Sequence, residues 1–165
     1  MKQDEKYISR CIQLGLQSLE SGDLPFGALI TCDGEVIAEA CNTGKKDITG
    51  HAEINVMRKV IEGMPDINIA ECTLYTNFEP CAMCSFMIRD YGIKRVVFSV
   101  FSPHLGGHSK WNILHEPIRP EFTSNGSDRV PEVRGGVLEN ECSEIFDKLK
   151  WKMHLSVKRR LHRWR

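Results

Sequence analysis

The sequence carries no surplus of charge: Lys and Arg together number 22, and so do Asp and Glu. A formal net charge of zero removes bulk attraction to nucleic acid as an organising force. No apolar run is long enough to span a bilayer, so no membrane partner is expected. The opening Met1-Lys2-Gln3-Asp4-Glu5-Lys6 lacks the apolar stretch of a signal peptide. Internal repeats, low-complexity segments and interdomain linkers are also missing. The cysteines are odd in number, 7, and irregularly spaced. They therefore do not form an even disulfide framework and read as reduced thiols in a cytoplasmic protein.

What is present suits one globular domain over residues 1–165. The chain is 41% hydrophobic and 27% charged, enough for a single core. Apolar spacing predicts a first helix from about Asp4 to Glu20, with Tyr7, Ile8, Cys11, Ile12, Leu14, Leu16 and Leu19 on a broad inner face. Two apolar runs around Asp33-Gly34 predict a hairpin. Asn42 to Gly50 reads as a polar loop leading into a helix after His51, whose face is Ile54, Met57, Val60 and Ile61. Cys72 to Thr76 and Lys94 to Phe101 read as strands, and Ala82 to Asp90 as a helix. Ser102 to Ser127 reads as irregular, Glu132 to Leu138 as a last short strand, and Glu139 onward as a final helix with Cys142, Ile145, Phe146 and Leu149 inward. Strands alternating with helices imply an α/β class with a mixed sheet.

Charge is uneven at one end. Beyond Asp147 there is no acid, while Lys148, Lys150, Lys152, Lys158, Arg159, Arg160, Arg163 and Arg165 are basic, with Trp151 and Trp164 interleaved. The segment from about 145 to 165 fits a nucleic-acid-binding helix or tail. It equally fits an amphipathic helix whose cations offset its own dipole.

Two short segments hold most of the chemistry: His51-Ala52-Glu53 and Pro80-Cys81-Ala82-Met83-Cys84. Cysteines three apart on a helix share a face and can grip one ion. Pro80 reads as the first helical residue, which places both thiols near a positive helix end that favours thiolates. His51 supplies a third ligand from a second helix. Three protein ligands on a tetrahedral zinc leave one corner for water, the pattern of a catalytic site. Glu53 is then a proton carrier beside the metal. Taken alone, the Cys pair also fits a redox motif, and His51 and Glu53 alone fit ordinary surface or core positions.

H-x-E followed by P-C-x-x-C is the zinc deaminase signature, and over most of its length the chain resembles the cytidine deaminase-like superfamily. The branch it looks most like holds guanine deaminases, fungal-type cytosine deaminases and tRNA adenosine deaminases. The resemblance implies a three-layer α-β-α fold with about five strands, one zinc ion per chain held between two helix starts, hydrolytic deamination, and a homodimer. It also implies substrate contacts from Asn42, from the main-chain carbonyl of Glu79, and from Trp111, with His104 and His108 nearby. Phe26 fits a pocket wall or strand core.

The substrate divides the branch. Asn112-Ile113-Leu114-His115-Glu116-Pro117 and Gly136-Val137-Leu138-Glu139-Asn140-Glu141-Cys142 look like the tRNA enzymes. Ser99-Val100-Phe101-Ser102 departs from their Arg-Asp type segment, Ile48-Thr49-Gly50 from the Pro-Thr-Ala run, and Ile118 to Asp128 reads as an insertion. These departures favour a small free nucleobase or nucleoside, of the guanine or cytosine type, as substrate. A tRNA adenosine deaminase is the alternative, and an inactive zinc-bound partner subunit or binding module is the second.

Overall fold

The structure, a computed structural model, describes residues 2–117, 121, 123 and 129–147. The chain begins with α1, Lys2–Glu20. Its buried positions Tyr7, Ile8, Cys11, Leu14, Gly15 and Ser18 recur at helical spacing, while Leu16 is left outside. The predicted hairpin is β1, Gly27–Cys32, and β2, Glu35–Cys41. Asp33 and Gly34 both take positive φ, 50° and 82°, as a two-residue turn matched to strand twist requires.

A loop leads to α2, Ala52–Gly63, then β3, Thr73–Phe78, α3, Ala82–Asp90, β4, Arg95–Val100, and β5, Glu132–Arg134. Helical backbone over 139–147 forms α4. The strand order is β2-β1-β3-β4-β5. β1 pairs antiparallel with both neighbours, and β3-β4-β5 run parallel. This is the expected mixed sheet of five strands.

Two apolar clusters cover its faces. Ala28, Ile30, Leu74 and Val96 pack under α2 and α3 through Val56, Met57, Val60 and Ile88. Leu29, Tyr75 and Val97 pack under α1 through Tyr7, Ile8 and Cys11. β4 is buried on both sides at Val96, Val97 and Phe98, as parallel strands covered by helices are. Among the described residues, no helix is long and apolar enough to cross a membrane.

Three expectations shift. Pro80 stands before the cap of α3, because Cys81 is the N-cap and Ala82 the first helical residue. Ile61 is exposed, and Ala52 and Val56 take the inner face of α2 instead. β5 ends at Arg134, since Gly136 and Leu138 turn the chain with φ of 79° and 54°. Cys142 and Ile145 are buried as expected. Leu149 and the basic residues from Lys148 onward lie outside the described residues, as does most of the Ile118 to Asp128 segment.

Candidate active site

The beginnings of α2 and α3 meet beyond the end of β3. His51 is the N-cap of α2, extended at φ −69° and ψ 148°. Cys81 is the N-cap of α3, extended at φ −67° and ψ 172°. Neither side chain caps its own helix, so each is free to turn toward the other. Cys84, one turn into α3, completes the group. His51 Nδ1 lies 3.5 Å from Cys81 Sγ and 3.4 Å from Cys84 Sγ, and the two sulfurs are 3.6 Å apart. All seven cysteines are free thiols, and the convergence of His51 on Cys81 and Cys84 favours an ion-binding group over a redox pair.

The donor set fits zinc. Tetrahedral bonds of about 2.3 Å to sulfur and 2.0–2.1 Å to nitrogen would set neighbouring ligands about 3.5–3.8 Å apart. The triangle is already near that size before any ion is considered. The electrostatics agree. Contact with Cys84, and then with His51, holds the Cys81 thiol down at about 4. The same contact, together with burial, pushes Cys84 up. A bound cation would displace the remaining thiol proton, as metal binding to thiols does.

Glu53 sits in the first turn of α2 and is only 5% exposed. Its Oε2 is 3.7 Å from Cys84 Sγ, and its Oε1 accepts a hydrogen bond from Thr76 Oγ1 at 3.2 Å. Burial pushes its carboxyl above the ordinary range, while the His51 ring and Thr76 pull the other way. The extended conformation at His51 explains how residues two apart serve one site: the ligand precedes the helix and the carboxylate lies inside it.

The other expected residues are placed as follows. Asn42 is buried and donates from Nδ2 to Asp23 Oδ1 at 2.7 Å. Its buried Oδ1 has no hydrogen-bond partner among the described residues. Phe26 stands beside Phe78 and Phe146, with ring centroids 5.4 and 5.8 Å away. Asn77 fixes the chain there by accepting from Gly27 N and donating to Pro25 O, both at 2.9 Å. Glu79 buries its carboxylate in the 102–109 loop. It accepts from Ser102 N, His108 N, Ser109 N and Ser109 Oγ at 2.6–3.0 Å. Trp111 is 54% exposed, with Lys110 Nζ 5.9 Å above its ring. The His108 ring meets Phe98 edge-on and packs at a tilt against Phe101 and His115.

Two functional features escape the sequence pattern. Thr76 reads as one more residue of a buried strand, and Glu79 contributes its carboxylate as a tether for the loop that passes Cys81. That loop bridges Cys81 at Gly106, and Gly107 N donates to Pro80 O at 2.8 Å.

A His-Cys-Cys triangle with an adjacent buried carboxylate, set at two helix starts on a mixed five-stranded sheet, defines a zinc-dependent hydrolytic deaminase. Residues 1–100 match the cytidine and deoxycytidylate deaminase zinc-binding region, and the chain belongs to that family. It is 32% identical over 150 residues to the tRNA-specific adenosine deaminase of Bacillus subtilis, covering 88% of each chain. A solved structure from work on A-to-I editing by tRNA:A34 deaminases at the wobble position of transfer RNA superposes with a TM-score of 0.74. It is 28% identical, and the match covers 85% of this chain and 98% of that one. A guanine deaminase structure from Bacillus subtilis gives a TM-score of 0.57 at 29% identity, covering 73% and 80%.

These findings overturn the expected preference for a small free base. Relatives at about this identity with broad coverage include several tRNA-specific adenosine deaminases. Some of the departures that argued against RNA have local structural roles. Ser99 is fully buried and donates to Leu138 O at 3.1 Å, and Ser102 is held by Glu79. Thr49 folds onto Asp47 within its own loop. The Ser99 and Thr49 side chains thus serve the fold locally, and Ser102 contributes its backbone N–H to Glu79.

Proposed function

We propose that the chain deaminates adenosine to inosine in tRNA, at the wobble position of the anticodon. The similarity to tRNA-specific adenosine deaminases over 88% of both chains is the observation that carries this reading. When bound, zinc supplies a Lewis acid that makes water a usable nucleophile near neutral pH.

The chain's own residues do the rest. His51, Cys81 and Cys84 hold the ion. Glu53 takes a proton from the attacking water and passes it to a ring nitrogen, then takes the second proton from the hydroxyl now on the ring carbon and gives it to the departing amine, which leaves as ammonia as the carbonyl forms. Its raised carboxyl suits a group that must both accept and release protons. Thr76 fixes one carboxylate oxygen and leaves the other facing the metal ligands. Asn42, with its unpaired Oδ1, accepts a hydrogen bond from the base or ribose. Phe26 walls the pocket, the Glu79 carbonyl meets the base edge, and Trp111 covers the substrate from the loop.

Residues 1–165 act as one deaminase domain, with the basic residues from Lys148 onward as part of it. Met83 and Phe86, 36% and 46% exposed on adjacent turns of α3, support a homodimer; sedimentation measures this directly. Seven free thiols suit the reducing cytoplasm.

The reading is tested by incubating the zinc-loaded protein with tRNA anticodon stem-loops bearing a wobble adenosine, and separately with guanine, cytosine and adenosine. Inosine in the RNA with silent free bases is the expected outcome. Ammonia from a free base with inert RNA overturns it.

A further inference from the structure

A cleft of about 600 Å³ lies along the outer edge of β2, between α1 and α2, lined among others by Arg10, Glu39, Thr43, Asn55, Arg58 and Lys59. It is separate from the zinc ligands and brings three cations together with one carboxylate, in a chain whose net charge is zero. Its peptide edge is already used: Lys59 Nζ donates to Glu39 O at 2.7 Å and Asn55 Nδ2 to Cys41 O at 2.9 Å. An added β-strand would find these acceptors taken. Arg10 is also committed, making a two-pronged pair with Glu39 at 2.8 and 2.7 Å. Arg58 is less so. It reaches Asp47 Oδ2 only at 3.4 Å and Thr49 Oγ1 at 3.2 Å, and its side chain is 47% exposed.

We propose that Arg58, together with Lys59 through the ammonium protons that its bond to Glu39 O leaves over, takes a backbone phosphate of the RNA strand whose adjoining nucleotide enters the active site. The inference rests on the tRNA reading. Three further observations support it. Cys41 and Thr43 belong to the cleft or its rim, and Asn42 stands between them in sequence, so a single residue of backbone separates the two sites. Arg58 also touches the 47–49 turn of the loop that ends at His51, so a phosphate held there steadies the loop that presents a metal ligand. With no bulk positive field, RNA affinity draws on clusters of cations, and this cleft supplies one in addition to the basic residues after Asp147.

The test uses the zinc-loaded full chain and a double variant, Arg58→Gln with Lys59→Gln, on a wobble-adenosine stem-loop at several salt concentrations. KM for the RNA is expected to rise roughly tenfold at moderate salt, with kcat within about twofold. The slope of log affinity against log salt should fall in magnitude by about 0.7 for each lost contact. Arg58→Lys with Lys59→Arg should restore both. Zinc content and melting temperature monitor folding, so a weakened variant that keeps both has lost contacts and not structure. An unchanged KM and slope, with wild-type turnover intact, overturns the phosphate site alone. Wild-type protein inert toward RNA overturns the tRNA reading and this inference with it. Inorganic phosphate, titrated without RNA, separates the sources: tight binding by wild type but not the variant, with unchanged RNA kinetics, makes the cleft a small-anion site and rejects the RNA strand.

Discussion

Thr76 Oγ1 donates to Glu53 Oε1 across 3.2 Å, joining the interior of β3 to the first turn of α2. This bond favours the ionised carboxylate, against the burial that disfavours it. Thr76→Val keeps the shape and removes the donor, so the Glu53 carboxyl rises further. The acid limb of kcat/KM should then move to higher pH, because the ionised form needed to accept water's proton appears later. A turnover loss of roughly tenfold at neutral pH matches one lost hydrogen bond to a charged group. A pH-rate profile coincident with wild type would refute the orienting role.

Glu53→Gln separates holding the metal from moving protons. The carboxylate makes no part of the His51-Cys81-Cys84 triangle, so zinc should remain at one ion per chain by metal analysis. Turnover should fall at least about a hundredfold, the scale of lost acid–base catalysis. Retained turnover would remove Glu53 from the proton path, and lost zinc would make it a ligand.

The parts that were legible in the sequence are those where spacing implies geometry. His51, Cys81 and Cys84 are readable because two helix starts can bring N and S donors to one ion, and Asp33-Gly34 because its turn demands positive φ. Thr76 was hidden because strand alternation marks a residue as inward without naming its partner on another helix. The Glu79 carboxylate was hidden because its partners are mainly backbone N–H groups 23 to 30 residues away. The short β5 depended on where the chain turns after Arg134, at Gly136 and Leu138. The substrate preference was not legible because short departures, such as Ser99 to Ser102 in place of an Arg-Asp type segment, carry less weight than similarity to tRNA-specific adenosine deaminases over most of the chain.

Glu79 offers a second structural test. Glu79→Gln sets an amide N–H₂ against backbone donors of the 102–109 loop, leaving at least one buried donor unpaired. Such a change costs about 2–4 kcal/mol, read as a lower urea midpoint at constant slope. Since the loop pairs with Cys81 at Gly106, zinc affinity should also fall, by about 10–100-fold as for lost outer support of a ligand. Gly106→Ala should act on the same contact, because its Cβ would stand 2.0 Å from Glu79 Oε1. If both variants keep wild-type stability and zinc affinity, the loop is not tethered by this carboxylate.

Asp4 sets the acid limit of the fold at the far end of the sheet. It is nearly buried and accepts from Arg95 Nη1 and Nη2 at 2.8 and 3.0 Å, from Arg134 Nη1 at 2.5 Å, and from the Tyr75 hydroxyl at 3.0 Å. The Arg95 hydrogen bonds, working against burial, lower its carboxyl from 3.8 to about 2. A group depressed in the folded state adds stability above its unfolded value and loses it as pH falls through the folded one. The contribution is therefore complete above about pH 5, worth about 2 kcal/mol by linkage, and declines between pH 4 and 2. Asp4→Asn should lower the melting temperature at pH 7, and the gap to wild type should narrow steadily as pH drops toward 2. A gap that stays constant across that range would mean that Asp4 acts through packing rather than through its charge.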